Sequence, residues 1–408
     1  MAAVAGAAKT YRRGTHRAVT PAETLARLQP LRAAFGITRV ANLTGLDRTG
    51  LPVVMVCRPN ARSSAVFHGK GLDLAAAKAS GLMEAIETWH AEQVELPLRL
   101  ASLAELARGG GEACDVDGLP RVPGSRFHPD LRLLWVEGRD LVSGAPVWLP
   151  FETVHADATL LEAPGAGCFA SDTNGLASGN TLAEATSHAL CEVIERDATS
   201  LWHAGGPAGQ EATRLDLDTI DDADCRAALD AVRRAGLSVA AWDITTDVGV
   251  PAVQCLVTDP GGEIGHPGHG AGCHPAREIA FLRALTEAVQ VRTTYILGAR
   301  EDIAHEDYDP AVLDARNRQA QALMRPAVRP RDFRSLGRFL FEDFETEVAW
   351  ILDRLRAAAL RQAVVVDLTR PALDVAVVRV VVPGLEGSDH HAGYVPGRRA
   401  RAVRRGRP

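Results

Sequence analysis

One sequence pattern occurs twice in the chain and ends each time in a pair of glutamates. The first copy runs from Gly71 to Glu87 and the second from Gly179 to Glu195, and the glycine, the apolar positions and both acids keep the same spacing. Apolar residues at this spacing predict an amphipathic helix. Side chains three residues apart lie on one face of a helix. The two helices therefore offer four carboxylates to one site: Glu84, Glu87, Glu192 and Glu195.

A third, weaker copy covers residues 280–290. Glu287 and Gln290 occupy the positions of the two glutamates there. We therefore expect three helices of one pattern, each with its polar pair toward the C-terminal end. The helix macrodipole favours cations at that end, so converging carboxylates need a compensating positive charge.

The donor types in the repeat indicate which cation would compensate. Carboxylate oxygens with no repeated Cys or His beside them suit hard ions such as Mg²⁺, which also bridges to phosphates. The alternative for any one glutamate is an ordinary solvated surface position. Arg196 directly follows the second pair. It would either clamp a metal-bound phosphate chain or form an i,i+4 ion pair with Glu192.

Glycine-rich segments precede the first two helices. Gly69-Lys70-Gly71 places a lysine before the first helix, and residues 174–181 precede the second. Backbone N–H groups at a helix N-terminus bind anions. The lysine segment is not a Walker A loop, because the earlier glycine and the trailing Ser or Thr are missing. With the glutamates, these segments predict a nucleotide site built on carboxylates and Mg²⁺.

Taken together and in this order, the motifs resemble the YcaO family. The resemblance spans most of the chain and rests on residues 11–17, 69–71, 80–87, 174–197, 283–292 and 383–386. It implies an α/β (α+β) protein of the YcaO type, with mixed sheets and pseudo-repeated helices around a carboxylate-rich ATP/Mg²⁺ site.

The resemblance also implies an activity, cofactors and site residues. Members act on backbone amides of a peptide or protein substrate: a nucleophile adds to the carbonyl, ATP phosphorylates the oxygen, and loss of phosphate leaves a heterocycle, thioamide or amidine. The cofactors are ATP and Mg²⁺, and no catalytic residue is assigned beyond their site. Carried over by motif, the metal ligands are Glu84, Glu87, Glu192 and Glu195, and the ATP-binding residues are Lys70, Asn180, Glu184, Arg196, Gln290 and Arg292.

Two N-terminal motifs and the C-terminal residues indicate a branch of the family. Residues 11–17 and 58–60 resemble the branch that works with a TfuA-like partner, which supplies sulfide for a thioamide. The C-terminal end has no Pro-x-Pro run, which azoline-forming relatives tend to carry. We therefore predict thioamide formation. The alternatives are an azoline-forming cyclodehydratase acting on Cys, Ser or Thr, and a non-catalytic nucleotide- or metal-binding scaffold; a leader-binding partner and a homodimer also remain open.

Composition limits the partners and the location. The net charge of −6 argues against a nucleic-acid binder, because such domains are usually basic. Charges break the apolar windows, so no membrane span is expected. The N-terminus lacks the positive start and apolar core of a secretory signal, and the cytoplasm is the default location. The tail is strongly basic, and we expect it to be disordered or to serve as an arm for an acidic partner or leader peptide.

Cysteines and histidines give weaker signals. The seven cysteines match neither a zinc signature nor an evident disulfide framework. Cys168 and Cys273 lie in glycine-rich segments, where a thiol either relays sulfur or is a small buried hydrophobe. His68 precedes Gly69-Lys70 and faces either the nucleotide or solvent. The closely spaced histidines lack the usual zinc spacing, and we expect them in polar active-site loops: His266, His269, His390 and His391.

Periodicity and turn signals predict the remaining elements. Helices are expected at residues 21–34, 225–235, 310–324 and 345–358. Strands are expected at 38–43, 52–57, 133–138, 147–149, 237–243, 252–258, 363–367 and 375–381. We expect one compact catalytic unit, in which residues 1–60 form an N-terminal segment, 61–396 the catalytic domain and 397–408 the tail.

Overall fold

The computed structural model describes residues 7–159, 164–260, 265–325, 329–389 and 393–406. The chain forms two compact units. Unit 1 consists of Met1–Ala8, Ile86–Ala204 and Phe341–Pro408, and unit 2 of Lys9–Ala85 and Gly205–Leu340. Both units are therefore built from stretches that are distant in the sequence. His390 and His391, two of the histidines considered above, lie outside the described residues.

The described residues form nine α-helices and fourteen strands. The helices are α1 (Pro21–Leu28), α2 (Leu74–Glu92), α3 (Leu103–Arg108), α4 (Leu182–Ala212), α5 (Ala223–Arg234), α6 (Arg277–Leu297), α7 (Pro310–Met324), α8 (Phe344–Ala357) and α9 (Arg398–Arg405). The strands are β1 (Arg39–Asn42), β2 (Val53–Cys57), β3 (Val66–Lys70), β4 (Leu98–Ala101), β5 (Leu133–Asp140), β6 (Pro146–Pro150), β7 (Leu176–Gly179), β8 (Leu215–Asp216), β9 (Ser238–Asp243), β10 (Ala252–Thr258), β11 (Gly268–Cys273), β12 (Arg331–Asp332), β13 (Val364–Asp367) and β14 (Ala376–Val381).

Unit 1 contains one six-stranded antiparallel sheet. Its order is β4-β5-β13-β14-β7, and β6 pairs with the other side of β5. The central strands β13 and β14 are apolar and buried, for example at Val364, Val366 and Val378. Such strands, buried on both faces, read as continuous apolar runs. The mixed helix and sheet content confirms the α+β fold class expected from the sequence.

Unit 2 contains two three-stranded antiparallel sheets and a short parallel pair. The orders are β1-β2-β3 and β11-β10-β9, and β12 pairs with β8. One apolar core joins β2, β10, α5 and α6 through buried residues that include Val53, Val253, Leu229 and Phe281. The three longest helices of the chain all carry several charged residues, and no described helix qualifies as a membrane span.

Each copy of the repeat is a strand followed by a helix that packs closely on it. The pairs are β3–α2, β7–α4 and β11–α6. A Cβ atom on Gly69 would lie 2.1 Å from the carbonyl oxygen of Ala77, and one on Gly270 would lie 2.3 Å from that of Ala284. No side chain fits at such distances. The glycines that the sequence associated with anion binding therefore allow helix and strand backbones to touch.

Two segments differ from the expectation. Residues 268–273, predicted to be a glycine-rich loop, form β11, because their backbone pairs with β10 along its whole length and their glycines accommodate α6. The tail predicted to be disordered forms α9 over Arg398–Arg405. The physical reason is a set of buried contacts within unit 1, to Asp197 and Glu386.

The strand–helix contact predicts the effect of one added methyl group. We expect Gly270→Ala to lower the free energy of unfolding by about 3 kcal/mol, because overpacking a rigid backbone contact costs this order of free energy. The matched control is Gly209→Ala on α4, where a Cβ meets nothing within 4 Å. That change should stabilise the protein slightly, since Ala is the better helix former. Denaturant unfolding curves measure both, and equal stability of the two variants would contradict the packing described here.

Candidate active site

The second copy of the repeat places three glutamates along one face of α4. Glu184, Glu192 and Glu195 are separated by eight and three residues, which corresponds to nearly whole helical turns. Glu184 is buried. Its carboxylate accepts hydrogen bonds from Nδ2 of Asn180 at 3.2 and 3.3 Å. Its backbone N–H donates to Oγ1 of Thr181 at 3.1 Å, which holds the first turn of the helix.

The first copy contributes Glu87 to the same unit. Oε1 of Glu87 accepts hydrogen bonds from the backbone N–H and from Oγ of Ser178, at 2.8 and 2.6 Å. Ser178 lies on β7, two residues before Asn180. Within unit 1, Glu87 on α2 is thus hydrogen-bonded to β7, the strand that leads into α4.

Glu192 lies in an unfavourable environment for a charged carboxylate. Burial raises its pKa to about 7; the nearby charge of Arg196 opposes this shift, and that of Glu195 adds to it. Arg379 and Asp172 contribute smaller effects of opposite sign. At neutral pH, a cation beside this pair of acids would therefore favour the ionised form of Glu192.

Arg196 lies beside the acids that it follows in the sequence. Its Nη1 is 3.9 Å from Oε1 of Glu195, which is longer than a hydrogen bond. Its side chain is 29% exposed. The contact is a loose ion pair, and the guanidinium lies near enough to Glu192 to lower the pKa of that carboxyl.

Arg379 and Asp172 are a buried pair near Glu192 that the sequence analysis missed. Nη1 of Arg379 donates to the backbone carbonyl of Asp172 at 2.8 Å, and Nη2 donates to Oδ1 at 3.1 Å. The available signal was the single arginine inside the apolar strand β14, because a buried charge needs a partner. The pair fixes the loop that precedes β7. Strand β7 in turn carries Ser178.

The motif Glu195-Arg196-Asp197 ends in a fully buried acid that is held by the C-terminal helix. Nε and Nη2 of Arg399 donate to the two carboxylate oxygens of Asp197 at 2.9 and 3.0 Å. The backbone N–H of Glu386 donates to the same carboxylate at 2.9 Å. Burial raises the pKa of Asp197 to about 6, and Arg399 opposes this shift.

Glu386 holds the start of the same helix. Its carboxylate accepts hydrogen bonds from the Tyr394 hydroxyl and from the backbone N–H groups of Gly397 and Ala400, at 2.8, 2.7 and 2.9 Å. These contacts explain why residues predicted to be disordered form α9. The contact between Asp197 and Arg399 joins segments that lie far apart along the chain, so no local pattern predicted it.

Unit 2 contains the remaining residues assigned by resemblance. Nζ of Lys70, at the end of β3, lies 2.6 Å from Oε2 of Glu287 on α6, so the first and third copies of the repeat meet through an ion pair. Gln290 is half-buried one turn further along α6, and Glu84 is half-buried on α2.

Arg292 differs from Lys70 and Gln290 in being almost fully buried. Its side chain is only 1% exposed. Nη1 donates to the backbone carbonyl of His266 at 2.8 Å. Nε and Nη2 have no hydrogen-bond partner among the described residues. Burial lowers the pKa of Arg292, and Asp47 opposes the shift.

The cysteines and histidines considered from the sequence are mostly buried. All seven cysteines are free thiols, and burial raises the pKa of Cys168, which disfavours the thiolate needed for sulfur relay. Cys273 is buried in β11, the strand that also carries His269. His266 stacks on Tyr295 with 3.9 Å between ring centroids. Burial lowers the pKa of His266 and of His68 to about 4.

The donor chemistry of unit 1 fits a hard divalent cation. Glu87, Glu192, Glu195 and Asn180 offer only oxygen ligands and an amide, the set that Mg²⁺ prefers. Burial is the main cause of the raised pKa of Glu192, and the charge of Glu195 adds to it; a bound cation would oppose both effects.

A family model for ATP- and Mg²⁺-binding YcaO cyclodehydratases matches residues 68–386. A protein of Rhizobium leguminosarum bv. trifolii, known only as an uncharacterized protein in the tfuA 3′ region, is 39% identical over 381 residues, which cover 91% of this chain and 88% of the relative. The chain therefore belongs to the YcaO family. ATP and Mg²⁺ are the cofactors of this family.

Two solved structures have the same fold. The YcaO protein of Methanopyrus kandleri, solved with AMPPCP and Mg²⁺, superposes with a TM-score of 0.74 at 25% identity over 96% of this chain and 98% of that one. A heterocyclase in complex with substrate and cofactor superposes with a TM-score of 0.79 at 23% identity over 94% of this chain. The present chain spans about half of that heterocyclase, 54% of its length.

The raised pKa of Glu192 predicts proton release on metal binding. A carboxylate with a pKa of about 7 is mostly protonated at pH 6 and mostly ionised at pH 8.5. Binding of preformed Mg·ATP should therefore release about one more proton from the wild type than from Glu192→Gln at pH 6, and about none at pH 8.5. Calorimetry in buffers of different ionisation enthalpy measures the difference.

The same shift affects the stability of the metal-free protein. A carboxyl whose pKa is higher in the folded state favours folding at low pH, and this contribution is lost as the pH rises from about 4.5 through about 7. The wild type should lose stability over this range relative to Glu192→Gln. Parallel pH profiles of the two proteins would contradict the assignment of the shift to Glu192.

Proposed function

We propose that the protein activates backbone amides of a peptide or protein by ATP-dependent O-phosphorylation and forms a thioamide with sulfide delivered by a TfuA-like partner. The observation that carries this proposal is the similarity, over 91% of the chain, to the relative from the tfuA 3′ region. In the overall reaction the sulfide sulfur bonds to the amide carbon and the carbon–oxygen bond breaks. The oxygen leaves in inorganic phosphate as ATP becomes ADP.

We assign Mg²⁺ to the four glutamates of the repeat and the nucleotide to the polar residues around them. The proposed metal ligands are Glu84, Glu87, Glu192 and Glu195, and the proposed nucleotide ligands are Lys70, Asn180, Glu184, Arg196 and Gln290. Arg292 was assigned with them by resemblance. Its burial and its bond to the carbonyl of His266 support a role in fixing α6 instead of direct contact with ATP.

Activation of the amide by ATP explains why the reaction needs residues that position the substrates and no dedicated catalytic group. An amide oxygen is a poor leaving group, and ATP supplies the phosphoryl group that makes its departure feasible. The chain then contributes orientation and charge neutralisation. Ser178 and Asn180 hold the carboxylates of Glu87 and Glu184 in place, and Arg196 offers a guanidinium to phosphate oxygens.

An azoline-forming cyclodehydratase is the second candidate. The same activation followed by attack of a Cys, Ser or Thr side chain of the substrate would give this product. The observation in its favour is the match of residues 68–386 to the family model of YcaO cyclodehydratases. The tfuA-region relative instead favours sulfide as the nucleophile.

The assigned carboxylates should be essential for turnover. We expect Glu87→Gln and Glu195→Gln each to reduce peptide-dependent phosphate release at least about 100-fold, because each removes a negative charge from the metal and phosphate site. The matched control is Glu137→Gln, which changes an exposed glutamate on β5 of the same unit and should keep activity within about twofold. A protein that releases no phosphate at all with its peptide and partner would be a binding scaffold.

The mass of the product separates the two candidate reactions. A candidate peptide is incubated with the protein, ATP, Mg²⁺, sulfide and a TfuA-like protein, and is then analysed by mass spectrometry. A thioamide makes the peptide heavier by exchange of oxygen for sulfur, whereas an azoline makes it lighter by one water. The thioamide proposal fails if the mass falls or stays unchanged while ATP is consumed. Omitting sulfide is the control, and it should abolish the gain in mass.

A further inference from the structure

A cleft in unit 1 is lined by none of the glutamates assigned above. Its volume is about 690 Å³, and it opens between the end of α8, the turn at Pro383 and Gly384, and the start of α9. Its wall combines apolar residues, among them Cys114 and Leu360, with three guanidinium groups: Arg361, Arg398 and Arg399.

Two of the three arginines are available to a ligand. Arg399 is engaged with Asp197. Arg361 and Arg398 form no ion pair and no hydrogen bond with any of the residues that the structure describes. The wall also contains one acid, Asp115, whose carboxylate accepts a hydrogen bond from the backbone N–H of Asp117 at 3.2 Å. Arg361 and Arg398 outnumber this single acid, so the wall is positively charged, and both guanidinium groups lack a partner among the described residues.

We propose that this cleft binds an acidic peptide segment, whose carboxylates pair with Arg361 and Arg398. A planar guanidinium recognises a carboxylate through two parallel hydrogen bonds. The volume lies in the range of pockets that enclose ligands much larger than a single ion. The apolar wall formed by Leu360, Pro383 and Cys114 suits the residues between the acids. The identity of this segment as part of a substrate or partner rests on the proposed function.

Hydrogen bonds connect the wall of the cleft to α4. Arg399 contributes to the wall of the cleft and also holds Asp197, which follows Glu195 and Arg196 on α4. A peptide bound in the cleft would therefore contact the same side chain that anchors this motif.

Peptide binding without ATP tests the proposal. The probe is a fluorescein-labelled octapeptide of alternating Glu and Ala, compared with the same peptide carrying Gln for Glu, and anisotropy reports binding. The double variant Arg361→Gln/Arg398→Gln should weaken binding of the Glu peptide about tenfold. The matched control is Arg401→Gln/Arg404→Gln, which removes the same charge from exposed positions of α9 outside the cleft wall. It should weaken binding by less than about twofold.

Several outcomes would overturn the proposal. Equal losses in the two double variants would mean that the charge of α9 alone attracts the peptide. Equal binding of the Gln peptide would exclude carboxylate recognition, and an absence of saturable binding would exclude the site. Displacement of the peptide by an equal concentration of inorganic phosphate would assign the cleft to a small anion. Because ATP hydrolysis is not measured, the result is independent of whether the protein forms a thioamide.

The variant proteins must be folded for the comparison to hold. Loss of Arg361 and Arg398 removes no hydrogen bond or ion pair among the described residues, so thermal unfolding should be unchanged. If the Gln variant is unstable, Arg361→Lys/Arg398→Lys keeps the charge but lacks the planar fork. Binding by this variant with an affinity equal to that of the wild type would contradict bidentate recognition.

Discussion

Each repeated helix touches the backbone of its own strand, and this contact determines the positions of the acidic residues. Gly69, Gly179 and Gly270 lack the Cβ that would hold helix and strand apart. Close packing of two regular elements leaves little freedom in their rotation or translation. In the first two copies the interval from glycine to first acid is the same, from Gly71 to Glu84 and from Gly179 to Glu192. The strand therefore determines where the acidic pairs of these two helices project. The duplication has thus preserved a geometry as well as a set of side chains.

The acids of unit 1 differ in how the protein supports them. Glu87 and Glu184 have fixed hydrogen-bond donors in Ser178 and Asn180. Glu192 instead lies where its ionised form is disfavoured. Fixed donors preorganise a site before the ligand arrives, whereas an acid with a raised pKa couples its ionisation to the arrival of a cation. The proposed site would therefore combine rigidly held ligands with one whose ionisation depends on pH.

The sequence predicted most elements to within a few residues, because their signals are local. The helix expected at 310–324 is Pro310–Met324, and the strand expected at 252–258 is Ala252–Thr258. It failed at β11, where glycine and histidine have low strand propensity and the pairing with β10 decides the structure. It also failed at α9, which depends on Asp197 and Glu386.

The candidate site was also predictable only where its signals are local in the sequence. Its glutamates repeat in the sequence and are visible without a structure. Ser178, Arg379 and Asp172 act through contacts between distant segments, and a single chain gives no local signal for such pairs. The lone arginine in the apolar strand β14, Arg379, was the only hint of such a pair among these three residues.

The connectivity of unit 1 has a consequence for how the chain folds. Strands β5 and β7 come from its middle stretch, and their neighbours β13 and β14 come from its last. The entire second stretch of unit 2 lies between them. Pairing of such distant segments slows folding, because a long loop must close before any contact forms. Until then β5 and β7 expose unpaired edges, which are templates for aggregation. The interval before β13 and β14 join the sheet is therefore a period in which the folding chain is exposed to aggregation.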